Sequence, residues 1–178
     1  MNRKGKQGGI RLVRTAVKVG LSIALCLYLF VLSKLLLFKY FTIQQIMNHL
    51  TFNFESYPWL GNHNFIPFKT IAYYLFLAND INFIIRLENL LGNIIAFIPF
   101  GFFLPLLSKK FHSFKMVALA TFCLSLTFEL IQLIFRFGSF DVDDLILNTV
   151  GGMIGYIPVK VVSRYVRRRR EEQKRTLG

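Results

Sequence analysis

Four stretches of this sequence, 16–38, 88–107, 114–135 and 142–163, are runs of about twenty mostly apolar residues. That is the length a helix needs to cross the hydrocarbon core of a bilayer at ~1.5 Å per residue. Four such runs in 178 residues leave little choice of architecture, because in lipid every backbone polar group must be paired within the structure itself. The predicted fold class is all-α, a polytopic membrane protein with four transmembrane helices. Composition agrees: 54% of residues are hydrophobic, 17% are charged and mean hydropathy is +0.48, which is too apolar for an ordinary soluble domain. The first run is too long for the apolar region of a signal peptide and no small-residue cleavage site follows it, so it is expected to be a retained anchor. Pro99 should kink the second helix, and Pro158 the far end of the fourth.

Residues 71–87, IAYYLFLANDINFIIRL, are less decisive. A fifth span would hold Asn79, Asp80 and Asn82 near mid-membrane and leave almost no loop before residue 88. An interfacial or re-entrant helix on the extracellular side, entered through Pro67 after Asn64, fits better. Tyr57, Trp59, Tyr73 and Tyr74 suit an interfacial belt beside it.

Charge sets the expected orientation. Residues 1–18 carry Arg3, Lys4, Lys6, Arg11, Arg14 and Lys18 with no acid. The loop at 108–115 carries Lys109, Lys110 and Lys115, and the tail from 164 carries the run Arg167–Arg168–Arg169–Arg170. The other side holds Lys39, Lys69, Arg86 and Arg136 against Glu55, Asp80, Glu88, Asp141, Asp143 and Asp144. Excess Lys and Arg mark the cytoplasmic side, so both termini are expected in the cytoplasm, with the membrane domain at 16–163 between a basic segment at 1–15 and a basic tail at 164–178. The net charge of +13 then belongs to the membrane surface and its lipids rather than to nucleic acid. Cys26 and Cys123 fall inside spans as packing residues, and no CxxC or Cys/His cluster points to redox chemistry or zinc. No cofactor is expected.

Polar residues inside the spans are the candidates for function. On the third span Glu129, Gln132 and Arg136 are spaced i, i+3, i+7, which is one helical face. On the fourth, Asp141, Asp144 and Asn148 share that spacing, and on the second Asn89 and Asn93 lie i, i+4. With alternating spans, all three stripes fall at one depth near the outer surface. Gly151 and Gly155 form a GxxxG pair that permits close helix approach, and Gly92 sits beside Asn93. Part of this has a plain explanation. Asp141, Asp143 and Asp144 occupy a first helical turn, where acids cap free N–H groups. Arg136 and Gly138 suit a helix end. Asn93 and Asn148 suit interhelical hydrogen bonds worth on average ~0.6 kcal/mol. Glu129 resists such an account. It lies ~10 Å deeper than Arg136, where an acid costs up to about 2.5–3.5 kcal/mol on insertion scales. It needs a partner, with Gln132 and Asn93 the nearest candidates, or a water-filled cavity.

The segments N64-F-I-P-F68, N89-L-L-G-N93 with F97-I-P-F-G101, E129-L-I-Q132, Arg136, and D141-V-D-D-L-I-L-N148-T-V-G-G152 together resemble the VanZ-like family of small bacterial membrane proteins. Each is weak alone; their order and spacing over 62–158 are specific. The resemblance implies a multi-span plasma-membrane protein linked to tolerance of teicoplanin-type lipophilic glycopeptides or other envelope-active compounds. It implies no catalytic residue.

Three functions fit these residues. One is a non-enzymatic outer-leaflet site formed by Asn89, Asn93, Glu129, Gln132, Arg136, Asp141, Asp144 and Asn148. There Arg136 would pair with an anionic group of a membrane lipid, a lipid-linked wall precursor or a lipophilic glycopeptide. The second is an intramembrane enzyme acting on an envelope lipid or glycan, with Glu129 as candidate acid or base and Asp141, Asp143 and Asp144 as weak candidates for a hard cation. No nucleophile–base pair, HExxH or phosphate loop supports it, and His49, His63 and His112 are scattered. The third is a structural membrane subunit, in a homo-oligomer or with a partner helix.

Overall fold

The computed structural model describes residues 3–38, 41–53, 63–78 and 80–176. Lys39, Glu55, Tyr57, Trp59 and Asn79, used above for charge and interface arguments, lie outside them. No β-strand occurs among the described residues. Among these residues six α-helices follow in order: α1 (Arg3–Leu37), α2 (Ile43–Leu50), α3 (Lys69–Ala72, continued by a π-helical turn, Tyr73–Leu77), α4 (Phe83–Leu107), α5 (Phe114–Phe135) and α6 (Val142–Thr176), with a 3-10 turn at Lys109–Phe111 between α4 and α5. Four of them, α1, α4, α5 and α6, are long and apolar enough to cross a membrane. Cys26 and Cys123 are free and exposed.

Local signals explain most boundaries. Asn82 caps α4, its side chain accepting the N–H of Ile84 at 2.9 Å. The helix therefore starts at Phe83, five residues ahead of the apolar run, and carries Glu88 and Asn89 in its second turn. Ser113 caps α5 through the N–H of Met116 at 3.2 Å. Helix α2, absent from the sequence reading, is announced by a capping box in which Thr42 and Gln45 satisfy each other's backbone N–H groups. The segment at 71–87 is not a fifth span: α3 and its π-turn cover nine residues and break before Asn82. At ~1.5 Å per residue that is under half the bilayer core. Helix α4 stays helical through Pro99 and Pro105. Helix α6 runs on through Pro158 and the arginine run to Thr176. At ~52 Å for 35 residues, its last third stands beyond a ~30 Å hydrocarbon core.

The bundle is organised by glycine. A side chain on Gly101 would strike the backbone of Gly152, one on Gly151 the carbonyl of Ile94, and one on Gly155 the carbonyl of Ile98. Helices α4 and α6 therefore meet backbone to backbone, the close packing that small residues allow where lipid supplies no hydrophobic drive. Gly152 also seats Thr121 of α5. Gly92 behaves differently from the expectation: nothing lies within 4 Å of its missing side chain. Helix α1 joins through its C-terminal half, where Leu32 and Leu37 pack with Phe97 and Phe128. Tyr28 donates its hydroxyl to the carbonyl of Ala96 on α4. Much of the rest of α1 is exposed, with Leu12, Val17, Ile23, Leu27 and Phe30 on its surface, as a lipid-facing helix requires.

Candidate functional site

The ends of α1 and α5, the starts of α4 and α6, and α3 meet at one end of the bundle, around a cavity of about 520 Å³. That volume lies within the range of small-molecule pockets. One side of it rests on a junction of two distant segments. Asn64 and Asp141 pair as an isolated parallel bridge, the Asn64 N–H reaching the Phe140 carbonyl at 2.8 Å and the Val142 N–H the Asn64 carbonyl at 3.0 Å. Asp141 caps α6 by accepting the Asp143 N–H at 2.8 Å. It also accepts from Asn64 Nδ2 at 2.9 Å and Thr70 Oγ1 at 2.6 Å. Asp143, fully buried, accepts the N–H groups of Phe68, Thr70 (2.7 Å) and Ile71 (3.0 Å). Phe68 is left-handed at φ 66°, a conformation that costs a non-glycine residue about 1–2 kcal/mol. The backbone there turns the N–H groups of Phe68, Thr70 and Ile71, at the start of α3, toward one carboxylate, and those charge-assisted bonds offset the strain.

Five of the eight predicted binding residues line the cavity: Asn89, Asn93, Gln132, Asp141 and Asp144. Asn93 Nδ2 donates to Asp144 across the α4–α6 contact, and Gln132 Nε2 donates to the Leu36 carbonyl at 3.1 Å, tying α5 to α1. Three residues do not line it. Glu129 is buried, 3% exposed, and its partner is neither Gln132 nor Asn93 but the backbone N–H of Asp141 at 2.8 Å. Asn148 lies deeper, donating to Ser125 Oγ at 2.8 Å. Arg136 ends α5 in the left-handed conformation at φ 54°, its N–H on the Gln132 carbonyl. The helix therefore turns at an arginine, not at Gly138.

The electrostatics of the cavity differ from the mixed-sign cluster that the sequence suggested. Among the described residues Glu88, Asp141 and Asp144 line it, and no Lys, Arg or His does. Tyr74 also lines it. Its phenol is raised above the ordinary tyrosine range, chiefly by burial and then by the charges of Tyr73, Asp144 and Asp141, so it stays a neutral donor. The cation-binding candidates also change: Asp143 has both oxygens occupied by backbone donors. Among the described residues no group of three His, Cys, Asp or Glu side chains is arranged to hold a metal.

Sequence reasoning missed Thr70, Tyr74, Glu88 and Ser139 on the cavity wall, and Thr121 and Ser125 on the buried face of α5. The last two are spaced i, i+4, i+8 with Glu129, a signal that periodicity carries. His49 and His63, apart in sequence, both sit on the backbone leading into α6: His49 Nδ1 lies 2.8 Å from the Phe135 carbonyl, and His63 Nδ1 accepts the Phe140 N–H at 3.1 Å. His112 is at the opposite end of the bundle.

Comparison with known proteins adds two findings. The sequence profile described as VanZ/LLP1 matches residues 25–163. Protein VanZ of Enterococcus faecium is 33% identical over 132 residues, covering 74% of this chain and 68% of that protein. No solved structure matches the chain.

Proposed function

The chain belongs to the VanZ/LLP1 family, and from that premise we propose that it is a membrane protein whose acidic cavity binds the polar group of an envelope amphiphile and so contributes to tolerance of teicoplanin-type glycopeptides. Both termini lie in the cytoplasm in this reading, because the basic segments share one end and the cavity the other; the cavity then opens in the outer leaflet.

The observation that carries the reading is the lining. Three carboxylates, the amides of Asn89, Asn93 and Gln132, and the hydroxyls of Thr70, Tyr74 and Ser139 surround about 520 Å³, with no cation among the described residues that line it. Such a wall favours an amine or a hydroxyl-rich sugar and disfavours a bare phosphate. Leu35, Leu36, Leu90 and Leu147 supply apolar wall beside it, suited to the carbon part of the same molecule. Arg136, which does not line this cavity, has no part in the reading, and neither does an anionic group bound by it.

The test is an Asp144→Asn, Asn93→Ala double variant, expressed to the parent level in a susceptible bacterium. The minimum inhibitory concentration of teicoplanin is expected to fall toward that of the empty host. Direct titration of teicoplanin into the purified parent and variant separates binding from indirect effects. Unchanged resistance in the variant, with the parent protective, sinks the proposal.

A further inference from the structure

The opposite end of the bundle holds a second site, which differs from the acidic cavity in charge and in surroundings. Two clefts, of about 490 Å³ and 330 Å³, adjoin there and share His112, Val159 and Ser163. Arg14 and Lys18 of α1 and Lys109 of the α4–α5 turn line one; Lys160, Arg164 and Arg167 of α6 line the other. Among the described residues no Asp or Glu lines either. Beside them a groove of about 270 Å³ runs between Phe102 and Leu106 of α4 and Pro158 and Val162 of α6, and it too touches Val159 and Ser163.

Two of the groups are held in place. The His112 Nε2–H donates to the Pro105 carbonyl at 2.9 Å, a helix-end acceptor. The Lys160 ammonium lies 3.8 Å over the Phe114 ring. Cations at a membrane edge ordinarily spread along it. Here three separate stretches of chain bring theirs to one point around Ser163; Arg167 pairs with the exposed Glu171 at 3.6 Å, while among the described residues no acid lines the clefts to offset the repulsion among the others. A bound anion relieves that repulsion, and the adjoining groove offers carbon surface at the depth where an acyl chain begins.

We propose that this end binds one anionic glycerophospholipid, its phosphate between the α1 and α6 cations around Ser163 and an acyl chain in the groove at Pro158. The lipid joins α1 to the α4–α6 pair at the end where α1 is otherwise exposed.

The full chain, purified in a neutral detergent, is titrated with phosphatidylglycerol and with phosphatidylcholine of matched chains, and retained lipid is read by native mass spectrometry. Phosphatidylglycerol is expected to be retained and phosphatidylcholine lost. Lys18 and Arg164 are exposed, so a Lys18→Gln, Arg164→Gln variant should fold; it is expected to weaken retention about tenfold or more, given the contribution of each basic residue at an anionic surface. An Arg170→Gln, Arg175→Gln variant removes the same charge outside the clefts and should retain the lipid as the parent does. Equal loss in the two variants would show diffuse surface attraction and overturn the site. So would equal retention of the two lipids, or displacement by an equal concentration of glycerol 3-phosphate, which would mark a site for soluble phosphate that makes no use of the groove.

Discussion

Asp143, in the first turn of α6, accepts the backbone N–H of Thr70 at 2.7 Å across 73 residues of sequence. With the N–H groups of Phe68 and Ile71 on the same carboxylate, this contact fixes α3, whose Thr70 lines the acidic cavity, against α6. An acid with the sequence character of a helix cap for its own helix serves instead as the cap of another.

Replacing Asp143 with Ala should strand these buried donors and cost roughly 3 kcal/mol or more. Asp143→Asn keeps an acceptor oxygen and should cost less. Thermal unfolding in detergent ranks the two, and limited proteolysis should cut near 64–78 in Asp143→Ala before it cuts the parent.

Glu129 is expected to matter first as an acceptor for the Asp141 N–H. Glu129→Ala leaves that buried donor unpaired, a loss of about 1–3 kcal/mol. Glu129→Gln retains a carbonyl oxygen and should unfold near the parent temperature. Equal destabilisation by the two variants would show that the carboxyl group has a structural role that the amide cannot fill.

The glycines separate into two classes by what a methyl group would meet. Gly155→Ala and Gly101→Ala drive a Cβ into backbone of the facing helix, and overpacking of this kind costs about 1–3 kcal/mol. Gly92→Ala meets open space and should leave stability unchanged or improve it, since alanine is the better helix former. A matched series of melting curves decides this.

Orientation is checked by reporter fusions. Fusions after Ser108 and after Gly138 should report opposite sides of the membrane, with Ser108 on the cytoplasmic side. Reports from one side for both would overturn the arrangement.

Tyr74 predicts an alkaline effect. Its folded-state phenol is raised above the ordinary value of 10.0, so the unfolded chain ionises first. The stability that neutral Tyr74 contributes is whole below that value and is lost as the pH rises through the folded-state value. Tyr74→Phe should therefore lose less stability than the parent between neutral and strongly alkaline pH, measured by unfolding at a series of pH values.

What was legible from the sequence alone was whatever depends on residues near one another along the chain. Apolar runs of span length gave four membrane helices, Lys and Arg gave an expected orientation, and helical spacing placed Asn93 and Asp144 on stripes at matched depth. The caps at Asn82, Ser113 and Thr42–Gln45 are equally local, bonding donors two or three residues away, but they became evident only in the structure. The tertiary structure decided which partner each polar group takes. Periodicity puts Glu129 on a face but cannot say that the face meets the Asp141 backbone. Capping preference puts Asp143 at a helix start but cannot send its carboxylate to α3. The charged part of the cavity wall joins Glu88 of α4 to Asp141 and Asp144 at the start of α6, a meeting that only the packing of those helices makes. Those contacts join residues 12 to 75 positions apart, and their energies depend on packing geometry that no local pattern encodes.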